Sequence, residues 1–269
     1  MSTLESFRLV GKVAVVTGGA RDLGYDMADA LAEAGAHLVI TSRELDHAAK
    51  AAEKLHAAHG VEALPLALDQ CDHAQIALFA RKARDWKGRV DVLVNNAGGG
   101  KSKGPTNFFD RQPEDVIALI HLNLIGVLFC CQEFGRIMAA QGSGKIINIG
   151  SIAGMVGRDR RMYDQTGLAQ QAVDYAAAKG GVIAMTRDIA AVLAPKGVCV
   201  NTISPGGFTS PRRNHPEAFV KAYSEHTALG RMGRDGVDLK GAVLFLASSA
   251  SDYVTGQNLV VDGGFCMWK

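Results

Sequence analysis

The chain predicts a doubly wound α/β fold, a parallel sheet covered by helices on both faces and built as one domain over residues 1–269. Three observations predict it. Short, nearly continuous apolar runs alternate with helical patterns along the sequence, as suits parallel strands covered on both sides. The first run leads straight into a glycine-rich turn and then a helix. With 269 residues, 48% of them hydrophobic, the chain has apolar material for a substantial core.

In order, residues 13–16, 38–40, 90–94, 146–149 and 198–203 read as buried strands, with 64–68 and 259–261 as weaker candidates. Between them, 22–34, 44–58 and 113–140 read as helices, the last stopping at Gly142-Ser143-Gly144. Right-handed crossovers would put helices on both sides. Ligands of such sheets bind beyond the carboxyl ends of the strands, and every motif below falls at or near such an end.

Charge and composition narrow the function classes. A net charge of +2 gives no case for nucleic acid or a membrane surface. No run of 18 apolar residues occurs, so no spanning helix is expected. The start, Met1 to Phe7, lacks the basic and apolar segments of a secretion signal. Five cysteines, an odd number with no CxxC pair, fit reduced thiols in the cytoplasm. Cys130 and Cys131 lie in an apolar helical run and read as packing residues. No His/Cys/carboxylate cluster suggests a metal.

Two motifs carry chemistry. Thr17-Gly18-Gly19-Ala20-Arg21-Asp22-Leu23-Gly24 joins the first strand to a helix. Such a turn lets backbone approach a pyrophosphate, and the helix N-terminus favours its negative charge; a tight turn without a ligand is the alternative. Tyr175 and Lys179 stand four apart in an Ala-rich helical stretch, hence on one face and one turn apart. A nearby ammonium favours phenolate and makes tyrosine a proton donor and acceptor for alcohol–carbonyl chemistry, although Tyr/Lys pairs also arise by chance on helix surfaces.

In their order along the whole chain, Thr17 to Gly24, Asp69, Asn95-Asn96-Ala97-Gly98, Asn123, Ser151, Tyr175 with Lys179, Pro205-Gly206, Tyr253 to Gln257 and Val261-Asp262-Gly263-Gly264 resemble the classical short-chain dehydrogenase/reductase superfamily. The pattern is similar to members named gluconate 5-dehydrogenase. The resemblance implies a Rossmann-type sheet and an NAD(P)-dependent enzyme interconverting alcohol and carbonyl. It implies that Asn123, Ser151, Tyr175 and Lys179 are catalytic. Ser151 would orient a substrate oxygen and Tyr175 would move the proton. Lys179 would lower the Tyr175 pKa and hold the nicotinamide ribose, and Asn123 would hold a water linking Lys179 to solvent. One departure stands out: Asp22 occupies the middle glycine position of the family's turn. It either repels pyrophosphate, or points to solvent, pairs with Arg21 or caps the helix.

The same resemblance places the cofactor on Gly18, Arg21, Asp22, Leu23 and Gly24, then on Ser42 and Arg43 after the second strand. Asp69 would bind the adenine amino group, and Asn96, Ala97 and Gly98 would wall the ribose or stabilise the sheet. Tyr175, Lys179, Pro205, Gly206, Phe208 and Thr209 would surround the nicotinamide. Arg43 offers a planar fork for a 2′-phosphate, Ser42 a hydroxyl and Arg21 a second charge. NADP is therefore expected, with NAD as the alternative because Glu44 could neutralise Arg43 or bind ribose.

Tyr163 lies nearer Ser151 than Tyr175 does, but Gly167 stands where its lysine would be. Residues 158–171 are thus read as an insertion, either a surface loop or part of the substrate wall, and about 207–230 as a lid region. Arg158, Arg160 and Arg161, Lys101 and Lys103, and Arg212 and Arg213 bring positive charge from three segments toward one rim. Arginine forks suit carboxylate or phosphate, so the substrate is expected to be a polar or anionic sugar or sugar acid, oxidised as alcohol to ketone or hemiacetal to lactone. An ordinary solvated rim is the alternative. Two other functions stay open: a reductase of hydrophobic, aromatic or acyl carbonyls, and a non-catalytic dinucleotide-binding regulator. By analogy the 113–140 helix and the Tyr175 helix would form the interface of a homotetramer or homodimer.

Overall fold

The computed structural model describes residues 2–100, 104–164, 166–210, 212 and 215–268. Among the described residues, seven strands form one parallel sheet: β1 (Val13–Val16), β2 (His37–Ser42), β3 (Ala63–Ala67), β4 (Val92–Asn95), β5 (Gly144–Ile149), β6 (Val198–Pro205) and β7 (Asn258–Val261). Their order across the sheet is β3-β2-β1-β4-β5-β6-β7. The strand order reverses between β1 and β4, which pair Ala14 with Val92 and Val16 with Val94. A crevice opens there at the carboxyl ends. The predicted Rossmann-type sheet is present, including its two weaker strands. One of these, β3, is an edge strand and carries Pro65, a residue tolerated where no further strand pairs.

The helices are α1 (Asp22–Glu33), α2 (Leu45–His59), α3 (His73–Lys87), α4 (Pro113–Ile120), α5 (Gly126–Gln141), α6 (Arg161–Asp164), α7 (Val173–Leu193), α8 (Glu217–Glu225) and α9 (Lys240–Ala247). Strand β1 shows how they divide between two faces. Ala14 and Val16 pack with Met27, Leu31, Leu55 and Val243 of α1, α2 and α9. Val13 and Val15 pack with Ile76, Phe79, Phe134 and Val182 of α3, α5 and α7. Side chains alternate along a strand, so an all-apolar run fills both cores.

One expected element differs. Residues 113–140, read as a single helix, divide into α4, a π-helical turn over His121–Ile125 and α5. The apolar pattern runs unbroken through the turn, so periodicity could not reveal it. End to end, Pro113–Gln141 also has the length and apolarity of a membrane span, with mean hydropathy 1.8 in its best window; the absence of an 18-residue apolar run had argued against such a helix. In this fold α5 packs on α3, α7 and β5.

Helix α7 meets the segment after β5 at two glycines. A Cβ on Gly154 would stand 2.5 Å from the Gly180 nitrogen and 2.6 Å from the Lys179 carbonyl carbon. Backbone cannot retreat from such a clash without moving the turn that follows Ser151. Gly154→Ala should therefore cost about 1–3 kcal/mol, read as a fall of several degrees in melting temperature.

Candidate active site

Lys179 is the centre of the site. It lies on α7, 3% exposed, and its Nζ donates to the Ile149 carbonyl at 2.7 Å. Among the described residues that is its one hydrogen bond. Burial pushes its pKa down to about 8, because removing an ammonium from water disfavours the charged form. One helical turn earlier, Tyr175 is 9% exposed and packs with Leu119 and Ala153, and the ammonium sits 5.8 Å from its ring centroid. Ser151 follows β5 by two residues. Its backbone is extended, and its Oγ accepts from the Ala153 nitrogen at 3.1 Å, leaving its hydroxyl hydrogen to donate elsewhere.

Asn123 sits inside the π turn, fully buried. Its Oδ1 accepts from the Gly99 nitrogen at 2.8 Å, while its Nδ2 donates to the carbonyls of Gly99 (3.2 Å) and Leu119 (3.0 Å). A Cβ on Gly98 would lie 2.6 Å from that Oδ1. The wide turn thus ties the segment after β4 to the helix beside α7, and π turns often mark such sites.

The glycine turn is closed tightly. A Cβ on Gly24 would stand 2.3 Å from the Gly18 carbonyl oxygen and 2.4 Å from Asn96 Nδ2. Gly18 donates to Thr41 Oγ1, and Asn96 Nδ2 donates to the carbonyls of Thr17 and Gly18. Arg21, at the N-cap of α1, is extended and makes no side-chain capping bond. A glycine-rich turn ahead of a helix whose first N–H groups have no side-chain cap fits a dinucleotide pyrophosphate. Asp22 is the one described non-glycine residue with positive φ, +49°. Asp tolerates that left-handed region better than most residues. Its carboxylate lies 3.8 Å from Arg21 Nε and accepts from Ser210 Oγ at 3.1 Å. It therefore pairs rather than caps, and it links the turn to the loop after β6.

The other expected cofactor residues line the same edge. Leu23, Ser42, Asn96 and Ala97 are half-buried, and Arg43, Asp69 and Gly98 are exposed. Asp69 Oδ1 accepts from the Cys71 nitrogen. Pro205 ends β6, Gly206 donates to the Val261 carbonyl, and Thr209 bonds to Gly233 through both its nitrogen and its hydroxyl. Phe208 is buried in the core cluster that contains Ile203 and Val243, so its ring packs the fold.

Residues 158–171 carry α6, whose Tyr163 ring packs 5.5 Å from Phe219 of α8. Met162, Phe219, Tyr223, Met232 and Phe265 cluster with Ile152, one residue past Ser151. The polar rim is uneven. Arg161 pairs with Asp159 at 2.5 Å, and Arg212 is exposed. Arg158 and Arg160 both bond Gln171. Lys101, Lys103 and Arg213 lie outside the described residues.

Three polar features had escaped the sequence reading. Gln70 donates to the carbonyls of Ala97 and Leu122, joining the turn after β4 to the π turn. Asn148, inside the apolar run of β5, accepts from Asn95 and donates to Thr186 of α7. Arg111 grips Asp174, next to Tyr175, through two bonds of 3.1 and 2.6 Å. A lone polar residue in an apolar run was the available signal for Asn148; Arg111 and Gln70 gave none.

The family model described as enoyl-(acyl carrier protein) reductase matches residues 18–266. Galactitol 2-dehydrogenase (L-tagatose-forming) of Cereibacter sphaeroides is 35% identical over 97% of this chain and 98% of its own. A 3-oxoacyl-[acyl-carrier-protein] reductase of Synechocystis is 34% identical over 97% and 99%. The crystal structure of a gluconate 5-dehydrogenase from Burkholderia cenocepacia, in complex with NADP and tartrate, superposes with a TM-score of 0.88, at 36% identity and 99% coverage of both chains. The chain belongs to the short-chain dehydrogenase/reductase family and is an NAD(P)-dependent oxidoreductase acting on CH–OH groups.

The buried lysine has a pH signature. Native Lys179 loses its proton near pH 8, whereas an unfolded lysine holds it to about 10.4. Across that window the unfolded chain binds the extra proton, so stability rises with pH. A ¹³C-lysine titration of the apoprotein should show one resonance with a midpoint near 8 that Lys179→Met removes. Wild-type melting temperature, relative to that variant, should climb between pH 8 and about 10.

Proposed function

We propose that this short-chain dehydrogenase/reductase interconverts a secondary alcohol and a ketone on a polar sugar-acid or sugar-alcohol substrate, with NADP(H) as cofactor. One observation carries the reading: a desolvated Lys179 beneath Tyr175, on a helix packed against the turn that begins at Ser151, two residues past the end of β5. The sugar and gluconate dehydrogenases among its relatives support the substrate class. Against hydrophobic carbonyls stands the rim, where Arg158, Arg160, Gln170 and Gln171 meet.

In this mechanism Ser151 donates its hydroxyl hydrogen to the substrate oxygen and fixes its direction. Tyr175 takes the alcohol proton in oxidation and returns it in reduction. The Lys179 charge, in a site of low dielectric, stabilises the phenolate so that this transfer runs near neutral pH. Asn123 keeps one Oδ1 lone pair beyond its bond from Gly99, and it holds the water that returns the proton to bulk. Bound at the glycine turn, NADP supplies the hydride acceptor and NADPH the hydride donor. Gly18 to Gly24 hold the pyrophosphate, and Arg43 with Ser42 receive the 2′-phosphate. The remaining parts of the proposal are a single 1–269 domain with a 207–230 lid, a cytoplasmic setting, and assembly as a homotetramer or homodimer. Exposed Ile117, Leu128 and Val173 on α4, α5 and α7 favour that assembly.

Tyr175→Phe should lower kcat/KM about 10²–10⁴-fold, the scale of a lost general acid–base group, while NADPH still binds by nicotinamide fluorescence. A variant that kept its turnover would remove Tyr175 from the chemistry. Titration of the wild type should give tighter binding for NADPH than for NADH, and Arg43→Ser should erase about tenfold of that preference. Equal affinities would sink the NADP assignment; binding of neither would bring the non-catalytic reading forward.

A further inference from the structure

Half of the chain's sixteen arginines are paired with a carboxylate among the described residues, Arg21 with Asp22 being one. Arg84, Arg89, Arg111, Arg136, Arg231 and Arg234 each sit within 4 Å of a carboxylate, as does Arg161 in the insertion. Arg158 differs from these, as its half-buried neighbour Arg160 does. The Arg158 side chain is half-buried, and among the described residues it has no carboxylate partner. Its Nη1 donates to Gln171 Oε1, and its Nη2 reaches the carbonyls of Gln171 and Ala172, both at 3.5 Å. These acceptors, and the Tyr163 hydroxyl that also bonds the guanidinium, are neutral, and the two carbonyls are at the limit of a useful bond. A guanidinium drawn out of water without an opposite charge is costly, and the cost is relieved by an anion.

The surroundings add to the charge. Arg160 donates to the same Gln171, through its carbonyl at 3.0 Å, and to Gln170 Oε1 at 3.1 Å. Two guanidinium groups thus converge on one glutamine, while the nearest acidic side chain in sequence, Asp159, is engaged by Arg161 and His226. Burial and Arg160 both press the Arg158 pKa down, and the Tyr163 and Tyr175 oxygens press it up.

The Gln171 side chain lies against the turn after β4: its Nε2 is 2.6 Å from where a Cβ on Gly100 would stand. Gln171 thus lies between that turn and the guanidinium, which donates to its Oε1. Ala172 is the N-cap of α7 and accepts from the Tyr175 nitrogen at 3.3 Å. The brace that holds Arg158 and the helix that holds Tyr175 share one residue.

We propose that Arg158 is the carboxylate anchor of the substrate: braced by Gln171 and Ala172 at the start of α7, its free N–H groups take the acid end of a hydroxy or keto acid whose reacting carbon lies at Tyr175. Arg160 reinforces the local charge. The inference rests on the sugar-acid reading above and deepens it, since it separates an acid substrate from a neutral sugar. A planar fork matches a carboxylate in two parallel bonds, which a lysine cannot reproduce.

The test uses full-length protein saturated with NADPH, as wild type, Arg158→Gln and Arg158→Lys. Substrates are 5-keto-D-gluconate and L-sorbose, which carries a hydroxymethyl group in place of the carboxylate. The ratio of kcat/KM for acid over ketose should fall about 10- to 100-fold in Arg158→Gln, mainly through KM, and recover in part in Arg158→Lys. Competitive inhibition by tartrate should weaken by a similar factor. A ratio and a tartrate constant within about twofold of wild type in either folded variant would overturn the anchor and leave the sugar-acid reading intact. A wild type that turns over neither compound would sink the substrate reading instead, and tartrate binding to the variants would then decide Arg158 by itself.

Discussion

The site depends on holding one ammonium out of water. Among the described residues Lys179 has a single hydrogen bond, to the Ile149 carbonyl at the end of β5, and no carboxylate pairs with it, so the cost of burying it is met by packing elsewhere. The fold concentrates close backbone approaches around it. Gly154 and Gly180 bring the Ser151 segment onto α7. Asn148 bonds Thr186 from β5, and Thr202 of β6 bonds the same hydroxyl at 2.8 Å. Each contact fixes α7 against the strand ends, and α7 carries both Tyr175 and Lys179. A looser helix would admit water, and the lysine would return to its ordinary pKa.

How much of this was legible in the sequence follows from the kind of signal each part leaves. The buried strands announce themselves as apolar runs, because a parallel strand has no wet face. β3 was a weaker candidate since, at the edge, its burial is partial and a proline interrupts it. Tyr175 and Lys179 follow from helical spacing, and their neighbours in the site from the ordered motifs. The π turn left no trace, because one extra residue in a turn leaves an apolar stretch apolar. Long-range polar bonds such as Arg111 to Asp174, 63 residues apart, leave none either. Charge alone suggested a basic rim; it could not say that Arg161 is satisfied by Asp159 while Arg158 is not.

Asp22 shows a local rule broken and compensated. The position calls for a left-handed backbone, and glycine meets it without cost. Aspartate adds a negative charge beside the expected phosphates, yet that charge faces Arg21 and Ser210. The pairing with Ser210 joins two loops 188 residues apart in sequence. The glycine turn and the loop after β6 are thereby coupled by a side chain where glycine would offer none.

Pro65 has a consequence beyond its place in β3. Leu68 sends its N–H inward, to the Ser42 carbonyl. Alternation along the strand turns Leu66 and Leu64 the same way and aims position 65 outward. The residue there has no N–H to offer. The one open margin of the sheet on that side is thus missing a donor in its middle, and a stray strand from another chain finds no continuous ladder to extend. A protein rich in parallel strands folds slowly and exposes such margins while it does so. A single imino acid gives this chain a guard against sheet-to-sheet aggregation during its own synthesis.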